Sequence, residues 1–409
     1  MQKQIFVILT AALGLTFSSQ QIQEERVVIN VEVPIRVFEG DTFIDNLTLD
    51  DFEVYEDGKL QKIEAVYLIR KRSIERREEK RRFVPQISRH FFLWFEISEY
   101  MPRIGKAVDY FFDNVFSSGD NLAIITPLKA YNLKRQALEL RSEEEIANQL
   151  ITLLRRDAVM GNSEYRAVLK DLRELAKVIE AKGAGQGEET SQEIEDALSD
   201  AYDASSLDEA VEMYSSVVKR LESLRRMDQQ RLLDFAEFLK NKDGQKHIFL
   251  FYEREFLPQL HPNTLSKFMF EYQDRPALLL SLSNLFESYK REVFIDVEKV
   301  KQAFADSSIS IHFLFIKKPP ELGSSLLMQE RSEDVYLAFK QMAQATGGLA
   351  ETSANPAYAF QRAVGAFENY YILYYSPEDY KRDGEFRKIK VRVKGKKCKI
   401  THRAGYFAN

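Results

Sequence analysis

One stretch constrains this chain more than any other: Phe91 to Met101, FFLWFEISEYM, an apolar run that ends on a carboxylate, a hydroxyl and a second carboxylate (Glu96, Ser98, Glu99). Successive apolar residues closed by polar ones predict a strand buried on both faces, as in a parallel sheet, that delivers side chains to the sheet's carboxyl edge. Open α/β sheets place their ligands at that edge. The theme repeats at Asp120 to Thr126 (DNLAIIT), His247 to Tyr252 (HIFLFY) and Ser310 to Ile316. Between these runs, apolar residues three and four apart predict helices over Ile104 to Phe116, from Ser142 onward, over Asp228 to Lys240 and over Val335 to Ala345. Ser142 and Glu145 have capping-box spacing. Strand, helix, strand order then predicts parallel neighbours joined by right-handed crossovers.

The two ends of the chain read differently. From Val27 to Tyr67, apolar residues alternate at Val27, Ile29, Val31 and Val33 and again at Phe52 and Val54, with turns at Glu39-Gly40-Asp41 and Glu56-Asp57-Gly58. Period two with such turns predicts short antiparallel hairpins. At the other end Tyr370 to Tyr375 is apolar on both faces, and Ile389, Val391 and Val393 alternate with Lys390, Arg392 and Lys394. A β segment on each side of an α/β core predicts that the two ends pair into one β-sandwich-like domain with the α/β part inserted between them.

Spaced residues at both ends carry a family resemblance. Leu47 to Ile63, LTLDDFEVYEDGKLQKI, and Asn369 to Phe407, with Tyr371-x-Leu373-x-Tyr375-x-Pro377, Asp383-Gly384-x-Phe386-Arg387-Lys388-Ile389 and Arg403-x-Gly405-Tyr406-Phe407, resemble the opening and closing modules of the bacterial secreted VWFA-related domain family. The resemblance implies a doubly wound, mostly parallel α/β sheet of von Willebrand factor A type, flanked by N- and C-terminal β segments. It divides the chain into an N-terminal β module (21–69), a charged linker (70–88, including RKRSIERREEKRR), an A-like domain (89–368) with a helical acidic insertion at about 163–226, and a C-terminal β module (369–409). Within the insertion Tyr165 to Ile179 keeps an apolar stripe, Gly183 to Gly187 is a break, and Glu188 to Glu212 contains acidic residues without Lys or Arg. Residues 1–20, with Lys3 before an apolar core from Ile5 to Phe17 and small residues after it, read as a signal peptide. A secreted or periplasmic location follows, with no stable membrane anchor after cleavage.

The same resemblance implies a metal site at the sheet edge, where the family reads Asp-x-Ser-x-Ser. Carried over position by position, Glu96 stands for the Asp, Ser98 matches, and Tyr100 replaces the second Ser. Ser163 of Gly161-Asn162-Ser163 supplies the hydroxyl from a second loop, and Glu253 stands for a third-loop Asp. Glu96, Ser98, Ser163 and Glu253 are thus the implied oxygen set for Mg²⁺ or Ca²⁺. The longer carboxylates and the phenol argue for a degenerate site without strong metal affinity, with Arg254 beside Glu253 as a metal-free alternative, so no cofactor is expected. Glu96 and Glu253 also read as ordinary strand-end carboxylates.

Composition narrows the function classes. The chain has 409 residues, 44% of them hydrophobic, which is material for more than one core. A net charge of −5 and the lack of a basic stripe argue against nucleic-acid binding. Cys398 is the single cysteine, so no intramolecular disulfide forms. No HExxH, GxSxG, phosphate loop, CxxC or GxGxxG is present, and His90, His247, His312 and His402 fall in or beside strands, while His261 precedes a proline. Where no enzymatic motif stands out, the family resemblance implies a non-catalytic, adhesion-like protein that recognises a protein partner, with a structural scaffold of a cell-envelope complex as the alternative.

Overall fold

A computed structural model describes residues 29–133, 140–183, 206–225, 228–260, 262–288, 295–319 and 327–409. The expected signal peptide and most of the acidic stretch at 188–212 lie outside these residues. The N-terminal segment forms β1 (Val31–Glu39), β2 (Thr42–Phe43), β3 (Phe52–Glu56), β4 (Lys59–Gln61), β5 (Ile63–Arg70) and β6 (Ser73–Glu79). There follow β7 (Arg89–Glu96), α1 (Pro102–Tyr110), β8 (Asn121–Ile125), β9 (Ala130–Leu133), α2 (Glu143–Gly161), α3 (Ser163–Gly183), α4 (Leu207–Arg225) and α5 (Gln229–Lys240). Then come β10 (Gln245–Glu253), β11 (Phe256–Gln259), α6 (Pro262–Glu271), α7 (Pro276–Ser288), α8 (Val297–Asp306), β12 (Ile309–Ile316), β13 (Leu327–Glu330), α9 (Glu333–Ala345), β14 (Ala350–Ser353) and α10 (Pro356–Phe367). Strands β15 (Asn369–Tyr375), β16 (Phe386–Val393), β17 (Lys399–His402) and β18 (Gly405–Phe407) close the chain.

Strand pairing corrects the expected fold class. Among the described residues there are four sheets, and three are antiparallel throughout: β17-β1-β15-β5-β6 with β2 on β1, β18-β16-β3-β4, and the pair β11-β13. Parallel pairs occur only in the fourth, ordered β14-β12-β10-β7-β8-β9, whose last pair is again antiparallel. The chain as a whole is thus a mixed α/β fold dominated by antiparallel sheets, not a doubly wound parallel one. The reason lies in the flanks: tight turns such as Asp57-Gly58, both at positive φ, return the chain beside itself, and only antiparallel strands can follow so short a connection.

A second correction concerns the charged stretch at 70–88, expected as a linker. Lys71, at φ 51°, turns the chain back, and β6 pairs with β5 from Ala65↔Glu79 to Arg70↔Ser73. SIERREE is an outer strand of its sheet, and its charged side chains suit that place because they discourage a further strand from adding.

Among the described residues five clusters fill the interior. On one face of the parallel sheet Phe91, Phe95, Phe249 and Phe251 pack under α1, α2 and α10, and on the other Phe92, Leu250, Phe313 and Phe315 pack under α5, α8 and α9. That double cover explains why β10 and β12 are buried along their whole length. Helices α3, α4, α6 and α7 with β11 hold a separate core around Val168, Leu172, Tyr214, Phe268 and Leu282. The N- and C-terminal segments pair directly, Val31↔Tyr375 through Ile35↔Tyr371, and the two larger antiparallel sheets share a core of Val33, Ile35, Val54, Leu373 and Val391. The reverse face of β5 and β15 buries Tyr67, Tyr370 and Ile372.

Candidate functional site

The carboxyl edge of the parallel sheet gathers several of the polar groups singled out in sequence. Strand β7 ends at Glu96 and β10 at Glu253, in register as Tyr252↔Glu96 and Glu253↔Ile316. Glu253 is buried, at 2% exposure. One of its oxygens, Oε2, accepts from the Ser98 backbone N–H at 2.6 Å and from Ser98 Oγ at 2.8 Å. The other, Oε1, lies 3.1 Å from Lys318 Nζ, whose ammonium also reaches Glu99 Oε1 at 2.7 Å. Burial acts to lower the Lys318 pKa, but the Glu253 and Glu99 carboxylates outweigh it and hold the ammonium above the ordinary lysine value. Lys318 sits two residues beyond β12, so the sheet register itself brings a cation to the buried carboxylate.

The other expected ligands go elsewhere. Glu96 Oε1 accepts from the Trp94 indole N–H at 2.7 Å. Ser163 opens α3 and donates its hydroxyl to the Met160 carbonyl at 2.9 Å. Its neighbour Asn162 is the residue that reaches the sheet edge, donating from Nδ2 to the Ile97 carbonyl at 2.8 Å and to Ala158 O at 2.9 Å. The loop therefore contributes an amide where a hydroxyl was expected, one position earlier. Arg254 pairs with Glu330 on β13, not with Glu253.

Two residues at this edge were missed in the sequence. Lys318 carried a signal, a lysine just past the end of the strand that adjoins β10, but strand adjacency is visible only in the fold. Asp157 carried a clearer one, because it falls on the apolar stripe of α2 after Ile146, Leu150 and Leu154. It is fully buried and accepts from Thr126 Oγ1 at 2.9 Å, Tyr131 OH at 2.6 Å and Arg156 Nε at 2.9 Å. Burial acts to raise the Asp157 carboxyl, and the hydrogen bonds from Tyr131, Thr126 and Arg156 bring it below the ordinary range.

These residues do not fit a divalent cation. Mg²⁺ and Ca²⁺ need convergent oxygens, each free to turn a lone pair toward the ion. Here Glu253 is engaged on both oxygens, Ser163 faces a carbonyl of its own chain, and a metal next to Lys318 would meet a like charge. Among the described residues no group of three or more His, Cys, Asp or Glu side chains is placed to hold a metal ion.

Two of the strand histidines, His247 and His312, are packed among rings. His247 lies 4.4 Å from Phe367 and His312 4.8 Å from Phe249, centroid to centroid, and both are 1% exposed. Burial lowers both pKa values, that of His312 to about 3. Such groups stay neutral across the physiological range, which suits packing better than proton transfer.

Comparison with family models, curated proteins and solved structures returns no match.

Proposed function

We propose that this chain is an exported, non-catalytic protein-recognition molecule and that its recognition surface is the helical unit built on α6 and α7. The observation that carries the reading is α7, PALLLSLSNLFES, which has one charged residue, Glu287, along its length. Leu278, Leu282 and Leu285 face the unit's core, while Leu280 is 63% exposed. On α6, Phe268 faces inward and Phe270 is 76% exposed. Large aromatic and aliphatic side chains left exposed beside a packed core mark contact surfaces. The partner that fits is a protein presenting an uncharged, apolar surface. The sheet edge supports the non-catalytic half of the reading, because its carboxylates are engaged by Lys318, Ser98, Tyr131 and Arg156 in place of a substrate. Export rests on the signal-peptide reading of residues 1–20, and the family reading on the sequence resemblance.

The test is photo-crosslinking from position 280 in cells that produce the protein. A discrete protein adduct that disappears when Phe270→Asp is added supports the reading. Adducts to lipid only, or an adduct indifferent to Phe270→Asp, would sink it.

A further inference from the structure

We propose that the cleft between α8, α9 and the strands β16 and β17 of two adjoining sheets binds a small organic phosphate, an apolar or aromatic body carrying a doubly charged phosphate ester. The cavity measures about 670 Å³, within the range of pockets that enclose a small ligand. Four elements each send one lysine into its lining: Lys301 from α8, Lys340 from α9, Lys388 from β16 and Lys399 from β17. These positions span nearly a hundred residues of sequence, so their convergence is a product of the fold and not of a local charge run. The chain carries a net charge of −5, yet this cleft is lined by four ammonium groups and one carboxylate, Glu298.

That carboxylate is already satisfied by Lys301 and by Gln302 Nε2, the latter at 3.1 Å. No carboxylate lies within ion-pair distance of Lys340, Lys388 or Lys399 among the described residues. Lys388 still feels the Glu298 carboxylate and Lys399 that of Asp41, and Lys340 Nζ lies 5.7 Å from the Tyr336 ring centroid, but with four lysines against one carboxylate the lining is positive on balance, which favours an entering anion. Leu349, Ile389 and Ile400 supply the apolar wall, and Ile389 is itself buried. Lysines present point charges suited to phosphate oxygens, and the wall calls for a hydrocarbon body beside them.

This site takes no lining residue from α6 or α7 and stands or falls independently of that surface. The experiment is calorimetric titration of the full chain with phenyl phosphate at low and high salt, with phenol as the uncharged control. The expected result is one saturable site for phenyl phosphate, weakened by salt, and none for phenol. The double variant Lys340→Gln/Lys388→Gln should weaken binding about tenfold, the effect of two partly exposed ion pairs, and Lys399→Gln alone should weaken it less. Lys170→Gln, on α3, should leave it unchanged. Absence of saturable heat at millimolar phenyl phosphate, or equal affinity in wild type and double variant, overturns the proposal. Thermal midpoints of the variants equal to that of the wild type assign any loss to the cleft.

Discussion

Lys318 decides the chemistry of the sheet edge. A buried carboxylate such as Glu253 requires a partner, and it is served by an ammonium at 3.1 Å together with two donors from Ser98. Removing one member of such a pair leaves the other buried and uncompensated, which costs about 3 kcal/mol or more. Lys318→Met is therefore expected to lower the stability measured by urea unfolding by about 3 kcal/mol. The companion variant Lys318→Met/Glu253→Met should recover much of the loss, since two apolar groups replace the pair. A Lys318→Met protein as stable as wild type would refute this account. Excess Mg²⁺ or Ca²⁺ is expected to leave the wild-type midpoint where EDTA leaves it, because a ligand raises stability only if it binds the native state.

Among the elements, β7 and β8 show how a polar pair fixes neighbouring strands. Arg89 opens β7 and Asp120 immediately precedes β8, and both are buried. Arg89 donates to Asp120 from Nε at 3.0 Å and from Nη2 at 2.5 Å, and its Nη2 also donates to the Val115 carbonyl at 3.0 Å. Asp120 Oδ2 accepts from the Ser117 N–H at 2.9 Å, which ties the end of the preceding helix to the start of the strand. Asp120→Ala strands a buried guanidinium and should destabilise by about 3–5 kcal/mol. Urea midpoints check this, and a change within experimental scatter would show that the pair is dispensable. In β6 exposure alternates as in any strand, but its charged residues run consecutively from Glu75 to Glu79, so this outer strand lacks the apolar alternation by which strands are usually recognised.

Across the whole molecule, the antiparallel sheet that joins both chain ends sits against the amino end of the parallel sheet through buried and part-buried polar contacts. Arg36 Nη1 donates to Gly347 O at 3.1 Å, Gln245 Nε2 to Glu32 Oε1 at 3.1 Å, Arg403 Nη1 to Ser308 Oγ at 2.8 Å, and the Ala404 N–H to Ala345 O at 2.7 Å. His247 and His312 lie beside this seam, where burial, helped by the nearby Arg36 charge, disfavours their protonation. An unfolded histidine takes a proton near its ordinary pKa of 6.5, whereas folded His312 takes one only near 3. Between these values the unfolded state binds more protons, so stability falls as pH falls, by about 1.4 kcal/mol per pH unit for each histidine. Thermal midpoints are therefore expected to hold above about pH 6.5 and to drop steadily below it. His312→Phe, which can stack on Phe249 in the same way, should flatten the acid limb. An unchanged acid limb in that variant would refute the assignment.

The sequence alone determined the local elements: apolar runs became the strands β7, β8, β10 and β12, with β8 buried only at Leu122 and Ile124, three-four spacing became α1, α2, α5 and α9, and period two with tight turns became the antiparallel flanks. Those features depend on neighbours a few residues away, and backbone sterics with side-chain burial set them directly. It also placed Glu253 and Ser98 correctly at one sheet edge, since both follow strand ends. Only the tertiary structure decided which strands pair, and so overturned the doubly wound parallel expectation for the chain as a whole. It likewise decided that Lys318, 65 residues beyond Glu253 in the numbering, answers that carboxylate, that Asn162 takes the place expected of Ser163, and that four lysines from four elements share one cleft. Pairing and convergence arise from contacts between distant segments, whose free energy depends on the packed whole and leaves little trace in local spacing.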